Sequence, residues 1–147
     1  MTERTQRINA WPADITALLA RIVVGAVFIA HGLQKIGTGV DGVAQGFGSM
    51  GIPLPQVAAV TAMTVEIGGG LALIVGFALP AAGAALAAFM VGAYTFAHVG
   101  DALVGGYEVV LVLGASALAL GFSGGSLAVD RFLPWGTRRA ETVRAAV

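Results

Sequence analysis

The side chains in this sequence that can do chemistry are few, and they sit in stretches otherwise too apolar for water. His31 and Lys35 stand four residues apart. Glu66 is embedded in Val65-Glu66-Ile67-Gly68, Tyr94, His98 and Asp101 follow at spacings of four and three, and Glu108 comes next. Histidine and carboxylate exchange protons near neutrality, while tyrosine and lysine donate hydrogen bonds to carbonyl oxygens. Such a set suits a carbonyl-bearing redox ligand such as a quinone. On that reading Glu66 and His31 exchange protons, His98 and Tyr94 orient the ligand, and Glu108 tunes the local charge. The chain has no cysteine, which excludes thiolate catalysis and disulfide exchange within it. A second chemistry is metal or haem binding. His31, His98, Glu66 and Glu108 together offer ligands to a transition metal, and the two histidines offer axial ligands to haem. The sequence has no close-spaced ligand motif for either.

These residues must be positioned by elements that live in lipid. Charged residues are 11% of the chain against about 25% in a soluble domain, and mean hydropathy is +0.87. A helix crosses the hydrocarbon core with about 20 apolar residues. Four stretches qualify: 15–36, 57–79, 81–99 and 104–122. The expected fold is all-α, a polytopic four-helix membrane bundle. Segment 1–14 precedes it and a tail, 123–147, follows. At about 1.5 Å of rise per residue, His31 lies roughly 24 Å and Lys35 about 30 Å from the inner end of the first span. On the same scale of height above the inner side, Glu66 comes to roughly 20 Å, and His98 and Glu108 to about 24–25 Å. Four helices thus each send a titratable group to one slab. Arg21, Gly25, Phe28, Gly32 and Lys35 share one stripe of the first helix by the i+3 and i+4 rule.

Lysine and arginine mark the cytoplasmic side of a membrane protein. Arg4, Arg7, Arg131, Arg138, Arg139 and Arg144 fall on the side of the termini, and only Lys35 on the other. Both termini are therefore expected in the cytoplasm, and the polar slab in the outer half. Formal net charge is zero, which gives no reason to expect nucleic acid. The longest link, 37–56, places Val40, Val43, Ala44, Phe47 and Met50 at helical spacing, with glycines interspersed. A short interfacial or re-entrant segment is expected there, forming a lid over the site. Gly68, Ala72 and Gly76 make one row of small residues, and Ala84, Ala88 and Gly92 another. Both suit helix packing or self-association.

Each polar residue also has a plainer reading. Lys35 and Asp101 serve as counter-charges, and Lys35 reaches water by extending its stem. Arg21, about 9 Å into the inner half, is expected to form a structural ion pair with Asp130. Glu66, the deepest acid, is the residue for which function outweighs structure.

Arg21, Gly25, Phe28, His31-Gly32 and Lys35 together resemble the first helix of DoxX-family membrane proteins. Gly51-Ile52-Pro53, Glu66-Ile67-Gly68-Gly69, Gly92-Ala93, His98, Glu108 and the Ser126…Asp130 end resemble the rest of that family's pattern. The resemblance implies a compact four-helix membrane fold and a redox-linked role in a bacterial cytoplasmic membrane. Relatives include a subunit of a thiosulfate:quinone oxidoreductase and a component of a membrane oxidoreductase complex. An oxidoreductase partner chain, self-association and a quinone are the expected partners and cofactor. The alternative is a non-enzymatic assembly or stress-response protein that binds a partner or a small apolar ligand.

Overall fold

The computed structural model describes residues 3–123 and 127–133, with side chains described from Trp11 onward. Ser126, most of the C-terminal tail and its Arg138, Arg139 and Arg144 lie outside the described residues, as do the side chains of Arg4 and Arg7. All the elements are helical: α1 (Glu3–Thr38), α2 (Val40–Ser49), α3 (Pro55–Val75), α4 (Leu79–Ala93) and α5 (Glu108–Ser123). A wide π turn at Tyr94–His98 prolongs α4, and a kinked segment at Leu103–Tyr107, with Val104 extended and Gly105 at φ +79°, leads into α5. Four helices are long and apolar enough to cross a membrane: Trp11–Thr38, Pro55–Val75, Leu79–His98 and Leu103–Ser123. The chain is a multi-pass membrane protein. α1 runs further back than the 15–36 expected, turning through most of the N-terminal segment despite Pro12.

Helix pairing follows from where backbones can touch. α1 packs chiefly on α3, and α4 on α5. At the first crossing Gly25 faces Gly70. A Cβ on Gly25 would stand 2.6 Å from the Gly70 carbonyl oxygen, and one on Gly70 2.7 Å from that of Gly25. At the second, a Cβ on Gly83 would come within 2.8 Å of Gly121 Cα, and one on Gly121 within 2.8 Å of the Leu79 oxygen. In lipid, packing replaces the hydrophobic drive, so close backbone approach holds helices together. The two small-residue rows expected from the sequence are not what meets here. Gly68 and Gly92 have open space where a Cβ would be, and Ala84 and Ala88 are exposed.

The first helix turns its expected stripe inward: Arg21, Gly25, Phe28 and Gly32 are buried and Lys35 partly so. The link after it is a proper helix, despite its glycines. α2 lays Val43, Ala44 and Phe47 on Ala59 and Met63 of α3, and Asp41 in its first turn complements the helix dipole. Gly51 and Leu54, both with positive φ, then turn the chain into α3 behind Pro53 and Pro55.

The opposite end of the bundle is closed by the segment after α5. Asp130 accepts hydrogen bonds from the Ala78 and Leu79 backbone N–H groups at 2.7 and 2.8 Å, capping α4, and its own N–H donates to the Gly76 oxygen at 2.9 Å. Arg21, fully buried, donates from Nη2 to the Leu127 oxygen, and Asp130 and Asp14 act on it through charge. Gly76, at φ +75°, lies against Arg21 Nη1 and Ala128 with no room for a side chain. Arg21 and Asp130 therefore belong to one tether, with the arginine's hydrogen bond going to a backbone carbonyl three residues before the acid.

Two outcomes follow for stability. Gly83→Val is expected to destabilise the bundle by about 1–3 kcal/mol through overpacking, whereas Gly92→Ala should cost nothing or gain slightly. Asp130→Ala should cost about 1 kcal/mol or more by uncapping α4. Unfolding of each variant in mild detergent checks both.

Candidate functional site

The site grows from one buried carboxylate. Glu66 lies midway along α3 on its inward face and is 2% exposed. A charge there needs a partner, because burial removes its water. Lys35 supplies it: Nζ stands 2.8 Å from both Oε1 and Oε2, and the lysine side chain keeps 22% of its exposure. Gly32, one turn before Lys35, permits the contact. A Cβ there would fall 2.5 Å from Ile67 Cγ1 and 3.3 Å from Glu66 Cβ, forcing α1 off α3.

Beside this pair opens a cavity of about 550 Å³. Phe28 and Leu113 lie deep in its wall, Phe89, Gly92 and Phe96 contribute from the α4 side, and Met50, Ile52 and Leu54 close it near the α2 end. His31, Lys35, Glu66 and His98 also line it, and nearly everything else is apolar. The structure thus gathers four of the residues singled out in the sequence. Thr61 adds a hydroxyl that the spacing of charged groups had not suggested.

His98 is held at the far side by the π turn that ends α4. Its Nδ1 lies 2.9 Å from Asp101 Oδ2. The Asp101 N–H donates back to the His98 carbonyl oxygen at 3.2 Å, closing a tight turn around Gly100.

Comparison with known proteins agrees with this architecture. The DoxX family model matches residues 16–99, more than half of the chain. The chain belongs to the DoxX family. It is 31% identical over 121 residues to a Bacillus subtilis (strain 168) protein named "Putative oxidoreductase CatD", covering 82% of this chain and 88% of that one. It is 27% identical over 126 residues to "Inner membrane protein YphA" of Escherichia coli (strain K12), covering 80% of this chain and 89% of that one. No solved structure matches it.

Two of the residues expected in the site of this DoxX protein stand elsewhere. Tyr94 packs edge-to-face on Tyr107, ring centroids 5.2 Å apart, and lines a separate apolar groove between α4 and α5. Glu108 opens α5 and is not among the residues lining the cavity. The four-residue metal set is consequently not assembled: among the described residues, no three of His, Asp or Glu come together as a metal-binding group. Tyr94 shares the α4 face of Ala87 and Val91, which line the groove, and Glu108 opens α5 just after the kink at Val104 and Gly105.

The Lys35–Glu66 contact predicts an asymmetry. Lys35→Met leaves a buried carboxylate without its counter-charge and should cost about 3–5 kcal/mol. Glu66→Gln leaves a lysine that can extend to water, so its loss should be smaller, and adding it to Lys35→Met should restore stability. Unfolding of the three variants in detergent checks the order.

Proposed function

We propose that this DoxX protein is a redox-linked membrane subunit that binds a quinone in the cavity beside Lys35 and Glu66. The observation that carries the reading is an apolar cavity of about 550 Å³ with only four titratable side chains in its wall. Ligand sites have this character, a mostly apolar surface with a few polar groups that fix orientation. A quinone ring meets aromatic and aliphatic walls at Phe28, Phe89, Phe96 and Leu113. Its carbonyls accept hydrogen bonds from His31, His98 or Lys35. Glu66 and His31 exchange the protons that accompany reduction and oxidation of the ring.

Two supports come from outside the cavity. The chain has no cysteine, so thiol redox chemistry would have to come from a partner oxidoreductase, and a similar protein carries an oxidoreductase name. The excess of arginine at the ends of the chain favours cytoplasmic termini, which puts the cavity in the outer half of a bacterial cytoplasmic membrane. A similar protein bearing an inner-membrane name agrees with that location.

The test is to isolate the protein in native lipid particles and quantify co-purified quinone by mass spectrometry. Wild-type particles should hold quinone well above its share in the surrounding lipid. Substituting Leu113→Trp, which fills the cavity, should remove that excess. Equal quinone in both preparations, at the level of bulk lipid, would sink the proposal.

A further inference from the structure

The cavity has an acid that can exchange protons, yet Glu66 itself is nearly sealed, with both oxygens on Lys35. A proton-exchanging site needs a connection to water. Of the four titratable residues in the cavity wall, only His98 is hydrogen-bonded to a carboxylate outside that wall. Asp101 carries that carboxylate, 2.9 Å from His98 Nδ1, and its side chain is 48% exposed.

We infer that His98 and Asp101 form the proton outlet of the cavity, with His98 exchanging protons on the cavity side and Asp101 with the water at the α2 end. The inference rests on the reading of the cavity as a proton-exchanging site, though not on quinone as its occupant.

Three local features build this dyad. The π turn at Tyr94–His98 ends α4 with the imidazole in the cavity wall. Gly100, at φ +95°, reverses the chain, so that the Asp101 N–H returns to the His98 carbonyl. Gly106 then leaves space for the acid: a Cβ there would lie 2.8 Å from Asp101 Cβ.

The chemistry is that of a shuttle. An ionised Asp101 only accepts, so Nδ1–H donates to Oδ2 and Nε2 keeps a lone pair. Nε2 takes a proton from the cavity, the imidazolium gives its Nδ1 proton to Asp101, and Asp101 releases it to water. The imidazole is left as the other tautomer and returns by ring motion or by running the steps backward for uptake. No net charge remains at the end. The other titratable groups at this end are Asp41 in the first turn of α2, Tyr94 and Tyr107, in contact with each other, and Glu108 at the start of α5; across the cavity stand His31, Lys35 and Glu66.

The experiment uses the full chain in lipid nanodiscs, with no added ligand. After a rapid acid jump, the carbonyl stretch of protonated Glu66 is followed by time-resolved infrared spectroscopy, the band being assigned by its loss in Glu66→Gln. Asp101→Asn and His98→Gln should each slow its appearance by roughly 10²-fold, with the same final amplitude. Added imidazole should restore the rate in His98→Gln, which a merely misfolded variant would not show. Unchanged rates in both variants would overturn the outlet and direct the proton past Lys35 instead. A Glu66 band that never responds to the jump would overturn it too. Because no quinone is present, the outcome is independent of the mass-spectrometric test of the ligand.

Discussion

Glu66 and Lys35 meet through both carboxylate oxygens, and that contact fixes α3 against α1 in rotation and in height. An unmatched acid midway along a membrane helix is costly, so the arrangement that buries Glu66 must also deliver a cation to it. Gly32 and the Gly25–Gly70 crossing let the two backbones come close enough for a lysine stem to reach. With the charge satisfied from the α1 side, the remaining faces of α3, α4 and α5 at that level can stay apolar. The ion pair occupies one wall of the cavity, and the α4–α5 pair, joined by its own glycines, supplies the facing residues Phe89, Phe96 and Leu113. Packing, charge pairing and the shape of the site are thus one solution.

The two ends of the bundle divide the work. At the end carrying Asp130, polar groups are spent on closure: a carboxylate caps α4, and the buried Arg21 ties α1 to the chain beyond α5. At the α2 end they border open space. There α2 seats its apolar face on α3, and the Met50–Leu54 segment reaches over the cavity. Polar groups thus close one end of the bundle and border the cavity at the other.

Much of this was legible in the sequence, for physical reasons that also explain the failures. The stripe Arg21, Gly25, Phe28, Gly32, Lys35 reads inward because charge and small size recur together with helical period, and an arginine exposed to lipid is costly. Depth counting placed His31, Glu66 and His98 at one level because helix rise is nearly constant. It also placed Glu108 in the site, and the i, i+4 rule placed Tyr94 there with His98; the wide turn at Tyr94–His98 breaks that spacing, and a kink at Val104 and Gly105 precedes Glu108. The small-residue rows misled for a different reason. One helix read alone has small residues on several faces, and only the partner, Gly70 for Gly25 or Gly121 for Gly83, decides which face is used. α2 was underestimated because its glycines lower helix propensity, while burial of Val43 and Ala44 on α3 outweighs that deficit.

The cavity beside the ion pair is where we propose that a ring-headed ligand sits. Photolabelling of the lipid-embedded protein with an azido-quinone, mapped by peptide mass spectrometry, locates it. Label is expected in segments 47–58 and 89–98 and should be abolished by excess unlabelled quinone. Label spread evenly along the lipid-facing surfaces of α1 and α5, and indifferent to competition, would contradict it.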